Sequence, residues 1–98
     1  MSQSVLDELK AQRDELTAFL ARYGASNPRV FGSVARRAEA PGSDVDLLID
    51  MPPEAGLFRL AQLQIDLSDK LHRKVDLVTP GELHPRIRDA VLASAVPL

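Results

Sequence analysis

The feature that most constrains the fold is a pair of short apolar runs, each joined to a compact polar motif. The first run ends in Gly32-Ser33, and the second begins, after ten intervening residues, with Asp44-Val45-Asp46. In a β-strand, side chains two residues apart point to the same face, so the two carboxylates would lie side by side. Adjacent carboxylates repel each other and lose hydration when covered, so this arrangement indicates a bound cation. Magnesium is the natural candidate, because carboxylates and substrate phosphates are its usual ligands.

The glycine-serine turn supplies groups that suit an anion. A glycine lets the backbone approach a ligand closely, and the residues after it can begin a helical turn whose free N–H groups face a phosphate. Arg36 lies in or just beyond that turn, and Arg37 follows it. Together the two motifs predict a triphosphate-binding site beside a metal-binding site.

The complete spaced pattern resembles the signature of the nucleotidyltransferase superfamily, which includes DNA polymerase beta, kanamycin nucleotidyltransferase and the CCA-adding enzymes. A lone Gly-Ser or a lone Asp-x-Asp would be ordinary turn residues, and only the two together at this spacing are specific. Gly-Ser-Val-Ala-Arg and Ser-Asp-Val-Asp-Leu are most similar to the minimal nucleotidyltransferases, the antitoxin partners of HEPN-domain toxins in prokaryotes. The close resemblance runs from Arg29 to Thr79. Arg37 departs from it, because the family often has glycine there.

This resemblance implies an α+β protein with the nucleotidyltransferase fold. Its small three-stranded mixed sheet would carry helices packed on it, in the order α-β-β-α-β-α. Residues 1–98 would form one minimal nucleotidyltransferase domain. The resemblance also implies that the protein binds ATP and two magnesium ions. The catalytic and metal-binding residues would be Asp44, Asp46 and Asp76. The nucleotide-binding residues would be Gly32, Ser33 and Arg36.

Apolar residues spaced by three and four predict helices over residues 2–23, 54–72 and 82–95. Ser4 and Asp7 suit a capping box at the start of the first helix. A single helical turn is predicted at 34–37, followed by a polar loop at 38–42. The predicted strands cover residues 29–31, 43–51 and 74–79. In the second strand, alternation places two sets of side chains on opposite faces: Val45, Leu47, Ile49 and Met51 on the buried face, and Asp44, Asp46, Leu48 and Asp50 on the other.

Asp76 joins the site through topology. A strand, a helix and a strand in succession predict a right-handed crossover to a parallel neighbour. If the second and third strands run parallel in near register, Asp76 lies beside Asp44 and Asp46. The family resemblance assigns Asp76 the same place, as the third acidic residue. We interpret Asp50, at the far end of its strand, as a strand-end or capping residue rather than a ligand.

Bulk properties narrow the function further. A length of 98 residues suits one domain with a small core and leaves no room for a second domain that would grip nucleic acid. The formal net charge of −2 disfavours nucleic acid as a direct ligand. Cysteine is absent, so neither disulfides nor thiolate metal sites are possible. Without an apolar run of membrane-spanning length or a signal-peptide pattern, the chain is expected to be cytoplasmic. His72 and His84 are interpreted as surface or capping groups at helix ends.

The reaction that these residues indicate is nucleotidyl transfer, in which an acceptor hydroxyl attacks the α-phosphorus of a nucleoside triphosphate and pyrophosphate leaves. The resemblance to minimal nucleotidyltransferases implies that AMP passes from ATP to a tyrosine hydroxyl of a cognate HEPN ribonuclease toxin. Two alternatives stay open. One is an antitoxin that acts by complex formation alone, against which the complete acidic trio argues. The other is a small-molecule nucleotidyltransferase, against which the lack of a second domain argues.

Overall fold

A mixed β-sheet with helices packed on it forms the framework of the computed structural model, which describes residues 4–36 and 44–98. The strands in these residues are β1 Ser26–Phe31, β2 Val45–Asp50, β3 Val75–Val78 and β4 Val96–Pro97. Their order in the sheet is β3-β2-β1-β4. β1 is antiparallel to both β2 and β4, while β2 and β3 run parallel. The predicted α+β fold is confirmed. Arg37 and the loop predicted at 38–42 lie outside the described residues.

The sheet has one strand more than the three that were predicted. β4 comprises only Val96–Pro97, and it pairs with β1 so that Val96 lies opposite Val30. The amide of Leu98 continues this edge by donating to the carbonyl of Pro28 at 3.1 Å. A two-residue strand shows no alternation of its own, so only its pairing with a distant part of the chain reveals it.

The crossover from β2 to β3 runs through a helix, as predicted. A 3₁₀ turn at Pro53–Ala55 leads into α4, Gly56–Leu71, which ends where His72 adopts a left-handed conformation with φ of 54°. Two leucines of α4, Leu63 and Leu67, are fully buried in the main core. The helix therefore anchors the crossover and brings β3 alongside β2.

The first predicted helix is in fact two helices. α1 covers Val5–Ala11 and α2 covers Arg13–Ala21, with a break at Gln12. Residues 10–15 are all exposed, so no buried side chain holds this part of the segment in one continuous helix. The predicted cap at Ser4 is confirmed, because its hydroxyl accepts a hydrogen bond from the amide of Asp7 at 3.2 Å, and α1 therefore begins at Val5 and not at residue 2 as expected. Leucines of both helices enter the core: Leu6, Leu9, Leu16 and Leu20.

The last predicted helix begins three residues later than expected, and α5 covers Pro85–Ser94. Glu82 belongs instead to a separate 3₁₀ turn, Pro80–Glu82, where its carboxylate accepts hydrogen bonds from the amide and hydroxyl of Thr79, each at 3.1 Å. His84 caps α5, because its Nδ1 accepts a hydrogen bond from the amide of Arg86 at 3.1 Å. This confirms the interpretation of His84 as a capping residue.

The two faces of the sheet differ. One face packs against the helices and contributes six strand residues to the main core: Val30, Val45, Leu47, Ile49, Val75 and Leu77. Leu48 points to the other face, the one that carries Asp46, yet it is also fully buried. The turn Pro80–Glu82 lies against β2, and the Leu83 side chain after it is buried outside the main core, so this turn closes that half of the face. The other half of this face, near the start of β2 where Asp46 lies, remains accessible to solvent.

No helix in the described parts of the chain is both long enough and apolar enough to cross a lipid bilayer.

Candidate active site

Three strand ends meet at one end of the sheet and bring the predicted carboxylates together. The residue pairing across the sheet places Phe31 opposite Asp46, and Asp46 opposite Asp76. Asp44 immediately precedes β2, two residues from Asp46, and therefore lies on the same side of the strand. The predicted proximity of the three carboxylates is confirmed. It results from the parallel pairing of β2 with β3, which joins residues about thirty positions apart in the sequence.

Gly32 lies against Asp46, in a backbone conformation that favours glycine. The backbone of Gly32 has φ of 73°, and a Cβ on this residue would lie 2.5 Å from the Oδ2 atom of Asp46. The sequence predicted that this glycine lets the backbone approach a ligand, and in the structure the group that approaches it is a carboxylate of the chain itself. The Asp46 side chain thus lies against the start of α3, Gly32–Ala35.

The short helix α3 begins two residues earlier than the predicted turn at 34–37. Val34 is buried in the core and holds the helix against β1 and β2. Ser33 is half-buried, and the first amides of such a helix have no acceptor within it, so they are available to an anion. Arg36 is exposed at the end of the helix, where its amide donates to the carbonyl of Gly32 at 3.3 Å.

The carboxylates influence one another electrostatically. Burial, followed by the negative charges of Asp76 and then Asp44, raises the pKa of Asp46 above its usual value. A carboxylate in this setting gains from a nearby positive charge, because a cation offsets both the lost hydration and the repulsion. Asp44 and Asp46 are half-buried, whereas Asp76 is exposed.

Lys74 contributes a positive charge that the sequence reasoning missed. Its Nζ atom lies 3.6 Å from Oδ2 of Asp44. The position was recognised only as part of the third strand, although one signal was present: Lys74 is two residues before Asp76 and so belongs on the same face. Its contact with Asp44 could be recognised only once the strand register was known.

The carboxylate oxygens are of the type that magnesium binds, but they do not point to a common position. Among residues 4–36 and 44–98, no three His, Asp or Glu side chains are arranged to hold a metal ion. The Asp44 carboxylate contacts Lys74, and the Asp46 carboxylate lies against Gly32. The three carboxylates nevertheless share one edge and offer only oxygen ligands, as magnesium prefers. The chemistry of these donor atoms is therefore compatible with magnesium.

Asp50 makes contacts that hold two strands together, in line with its interpretation as a strand-end residue. Its Oδ1 atom lies 2.6 Å from Nη2 of Arg29, and its Oδ2 atom accepts a hydrogen bond from the side-chain amide of Asn27 at 3.0 Å. Both partners belong to β1, so Asp50 ties the far end of β2 to its neighbour. It takes no part in the cluster at the start of the strand.

A separate cleft of about 200 Å³ lies beyond the opposite end of β2. Its lining is mostly apolar and includes Pro52, Leu57 and Leu60. None of the three site carboxylates lines it, so it is distinct from the candidate catalytic edge.

Comparison with known proteins agrees with this geometry. The family described as Nucleotidyltransferase domain matches residues 14–98. A protein of Methanocaldococcus jannaschii with the provisional name protein adenylyltransferase is 30% identical over 91 residues, covering 93% of this chain and 95% of that protein. A second protein of that organism, with the same provisional name, is 37% identical over 71 residues, covering 71% and 72% of the two chains.

Solved structures show the same fold. One, described provisionally as a minimal nucleotidyltransferase, matches with a TM-score of 0.83 and 40% identity over 100% of both chains. A crystal structure of a toxin-antitoxin with AMP-PNP matches with a TM-score of 0.70 at 18% identity, over 86% of this chain and 69% of that one. The chain therefore belongs to the nucleotidyltransferase domain family, as its sequence motif predicted. Within that family it is similar over its whole length to a minimal nucleotidyltransferase.

Proposed function

We propose that this protein is a magnesium-dependent antitoxin that transfers AMP from ATP to a hydroxyl group of a toxin, with release of pyrophosphate. The observation that carries the proposal is the pairing of Asp46 with Asp76, with Asp44 on the same side and Gly32 against the Asp46 carboxylate. Three carboxylates at the end of the sheet where α3 begins support the proposal. Nucleotidyl transfer requires a metal-binding site next to a phosphate-binding site.

Each site residue has a separate part in this reaction. Asp44, Asp46 and Asp76 would hold two magnesium ions, which supply positive charge to offset the charge that develops on the reacting phosphate. The first amides of α3 and the Ser33 hydroxyl would hold the β- and γ-phosphates, and Arg36 would contact a phosphate from the end of that helix. Asp76 is the exposed member of the trio, so it is best placed to receive the proton of the incoming hydroxyl. The oxygen–phosphorus bond forms as the bond to pyrophosphate breaks.

A protein acceptor is supported by the relatives, two of which are provisionally named protein adenylyltransferases. The toxin-antitoxin structures share the fold, and we extend that association to this chain. We propose a HEPN ribonuclease toxin as the acceptor and a tyrosine as the modified residue, with both proteins in the cytoplasm.

The chain's own tyrosine lies away from the carboxylate cluster. Tyr23 is its single tyrosine, and the hydroxyl donates a hydrogen bond to the carboxylate of Asp66. This hydrogen bond, together with lost hydration and the charge of Asp66, raises the pKa of Tyr23. Tyr23 is thus engaged with α4 and packs against the main core, on the helical side of the sheet and not on the face that carries Asp46, which supports an acceptor on another molecule.

Neutralisation by binding alone is the competing function. Exposed apolar side chains on α4 favour some bound partner, since Phe58 is 95% exposed and Leu57 is 75% exposed. A transferase with a protein acceptor also needs a docking surface, so this observation supports both functions. Only a transfer assay separates them.

The test uses ATP labelled at either the α- or the γ-phosphate, with magnesium and a HEPN ribonuclease toxin as the acceptor. We expect α-label on the toxin and no γ-label, because AMP transfer keeps the α-phosphate and releases the other two. Label from the γ-phosphate would indicate phosphorylation and contradict the proposal. A toxin that is inactivated in complex without gaining label would establish neutralisation by binding alone.

A further inference from the structure

Lys74 occupies a specific position within the carboxylate cluster. Val45 lies opposite Val75, and the amide of Val45 donates to the carbonyl of Lys74 at 3.0 Å, so the preceding residues Asp44 and Lys74 also lie across from each other. Two rows of side chains therefore cross the parallel strands, with Asp44 facing Lys74 and Asp46 facing Asp76. Among the residues that the structure describes, the cluster contains three carboxylates and one ammonium group.

The neighbouring basic residue has a different partner. Arg73 directs its Nη2 atom to Glu8 of α1, at 3.6 Å, which is on the helical side of the sheet. Lys74 is thus the cation at the start of β3 that faces the carboxylates. Its side chain is 73% exposed, compared with 37% for Asp44.

The pairing between Lys74 and Asp44 is easily exchanged. An exposed ion pair of this length contributes little to stability, and the four-carbon stem of lysine can turn to a new partner at small cost. A divalent cation that binds Asp44 would stand close to the ammonium group and repel it. The nearest compensating anion in the proposed reaction is the triphosphate of the nucleotide.

We infer that Lys74 is the internal counter-ion of the metal-free site, and that it exchanges Asp44 for a phosphate oxygen of the nucleotide when metal and nucleotide bind. The inference rests on the proposed function, because it takes the three carboxylates as metal ligands. It assigns Lys74 two opposite effects: weakening the binding of metal alone and strengthening the binding of the metal-nucleotide complex. The first effect limits occupation of the site by divalent ions when no nucleotide is present.

The first measurement is the affinity for Mn²⁺ without nucleotide. Binding is monitored by the decrease in the electron paramagnetic resonance signal of the free ion. The variants are Lys74→Met, which keeps the apolar stem, and Lys70→Met as the matched control. Lys70 forms an ion pair of nearly the same length, 3.7 Å, with Glu15 of α2. We expect Lys74→Met to bind Mn²⁺ roughly two- to fivefold more tightly than wild type, the range typical of one exposed ion pair, and Lys70→Met to bind as wild type does.

The second measurement is the affinity for α,β-methylene-ATP with magnesium, since this analogue cannot be cleaved at the reacting bond. We expect Lys74→Met to bind it about two- to tenfold more weakly, as for loss of one exposed charged contact, and Lys74→Arg to restore binding because it keeps the charge. Melting curves in chelator establish that each variant is folded.

The possible results separate a failure of the inference about Lys74 from a failure of the proposed function. Equal Mn²⁺ affinity in wild type and Lys74→Met, or a change of both affinities in the same direction, would overturn the role of Lys74 and leave the metal site intact. If wild type binds no more Mn²⁺ than Asp44→Asn does, the proposed metal site is wrong and the inference is overturned with it. Opposite changes in Lys74→Met, absent from Lys70→Met, would support it.

Discussion

The carboxylate of Asp46 lies against the α-carbon of Gly32, so close that a Cβ there would stand 2.5 Å from the Asp46 Oδ2 atom. This contact joins the two sequence motifs directly. Real Cβ atoms do not approach another atom so closely, and the side chain that would have to move is a proposed metal ligand. The first prediction follows from it.

We expect Gly32→Ala to lower both stability and Mn²⁺ binding. The left-handed backbone costs alanine about 1–2 kcal/mol, and the displaced Asp46 carboxylate costs metal affinity in addition. Gly56→Ala is the matched control, because Gly56 has φ of 77° but no atom within 4 Å of the added Cβ. Melting curves and Mn²⁺ titration should show that Gly56→Ala loses stability alone. If the two variants retain Mn²⁺ binding equally, the Asp46–Gly32 contact does not matter for the site.

The raised pKa of Asp46 predicts a pH-dependent gain of stability in Asp46→Asn. A carboxyl group whose pKa is higher in the folded protein than in the unfolded chain destabilises the fold at pH values above both. That penalty disappears below the unfolded pKa of about 3.9. In chelator at pH 7, Asp46→Asn should therefore melt at the wild-type temperature or above it, and any gain should shrink as the pH approaches about 4.

Melting temperatures between pH 4 and pH 8 test this, with Asp14→Asn as a control that removes the same charge from a side chain that is 99% exposed. A melting temperature of Asp46→Asn clearly below wild type at pH 7 would show that the ionised carboxylate stabilises the fold, contrary to the electrostatic argument.

Loss of the metal ligands should affect transfer far more than loss of the serine hydroxyl. In the assay with α-labelled ATP, we expect Asp44→Asn combined with Asp46→Asn to reduce transfer to below about one hundredth of wild type, because amides attract magnesium weakly. Ser33→Ala should lose only about two- to tenfold, since one hydrogen bond is removed while the backbone amides remain. Equal losses in the two variants would mean that the hydroxyl has a larger part than the proposed mechanism gives it.

Asp50 provides the structural counterpart to the site carboxylates. We expect Asp50→Asn to lower stability by about 0.5–1.5 kcal/mol, because it weakens the hydrogen-bonded pair with Arg29 on a half-exposed surface. Mn²⁺ binding should stay at the wild-type level, since Asp50 lies at the other end of β2. A clear fall in Mn²⁺ affinity with unchanged stability would place Asp50 in the metal site.

Local rules were enough to recognise much of this protein. Alternation identified the face of β2 that carries Asp44 and Asp46, because side chains in a strand alternate wherever the strand is placed. The β-α-β connection then predicted a parallel neighbour for β2, and a near register between the two strands, which the structure has, puts Asp76 beside these carboxylates. The capping residue Ser4 was also recognised from its immediate neighbours.

Other features depended on contacts between distant residues. The strand β4 exists only through its pairing with β1, and the break at Gln12 is set by which leucines reach the core. The burial of Leu48 depends on the turn at Pro80–Glu82, which comes about thirty residues later.

By itself, the sequence determined the chemical groups of the candidate site and the faces on which its strands present them, because spacing along a strand controls both. The tertiary structure decided which of those groups meet. The register of β2 against β3 placed Lys74 opposite Asp44, and the left-handed turn at Gly32 brought its backbone against Asp46. Such contacts are set by the pairing of separate segments, and spacing within one segment carries no information about them.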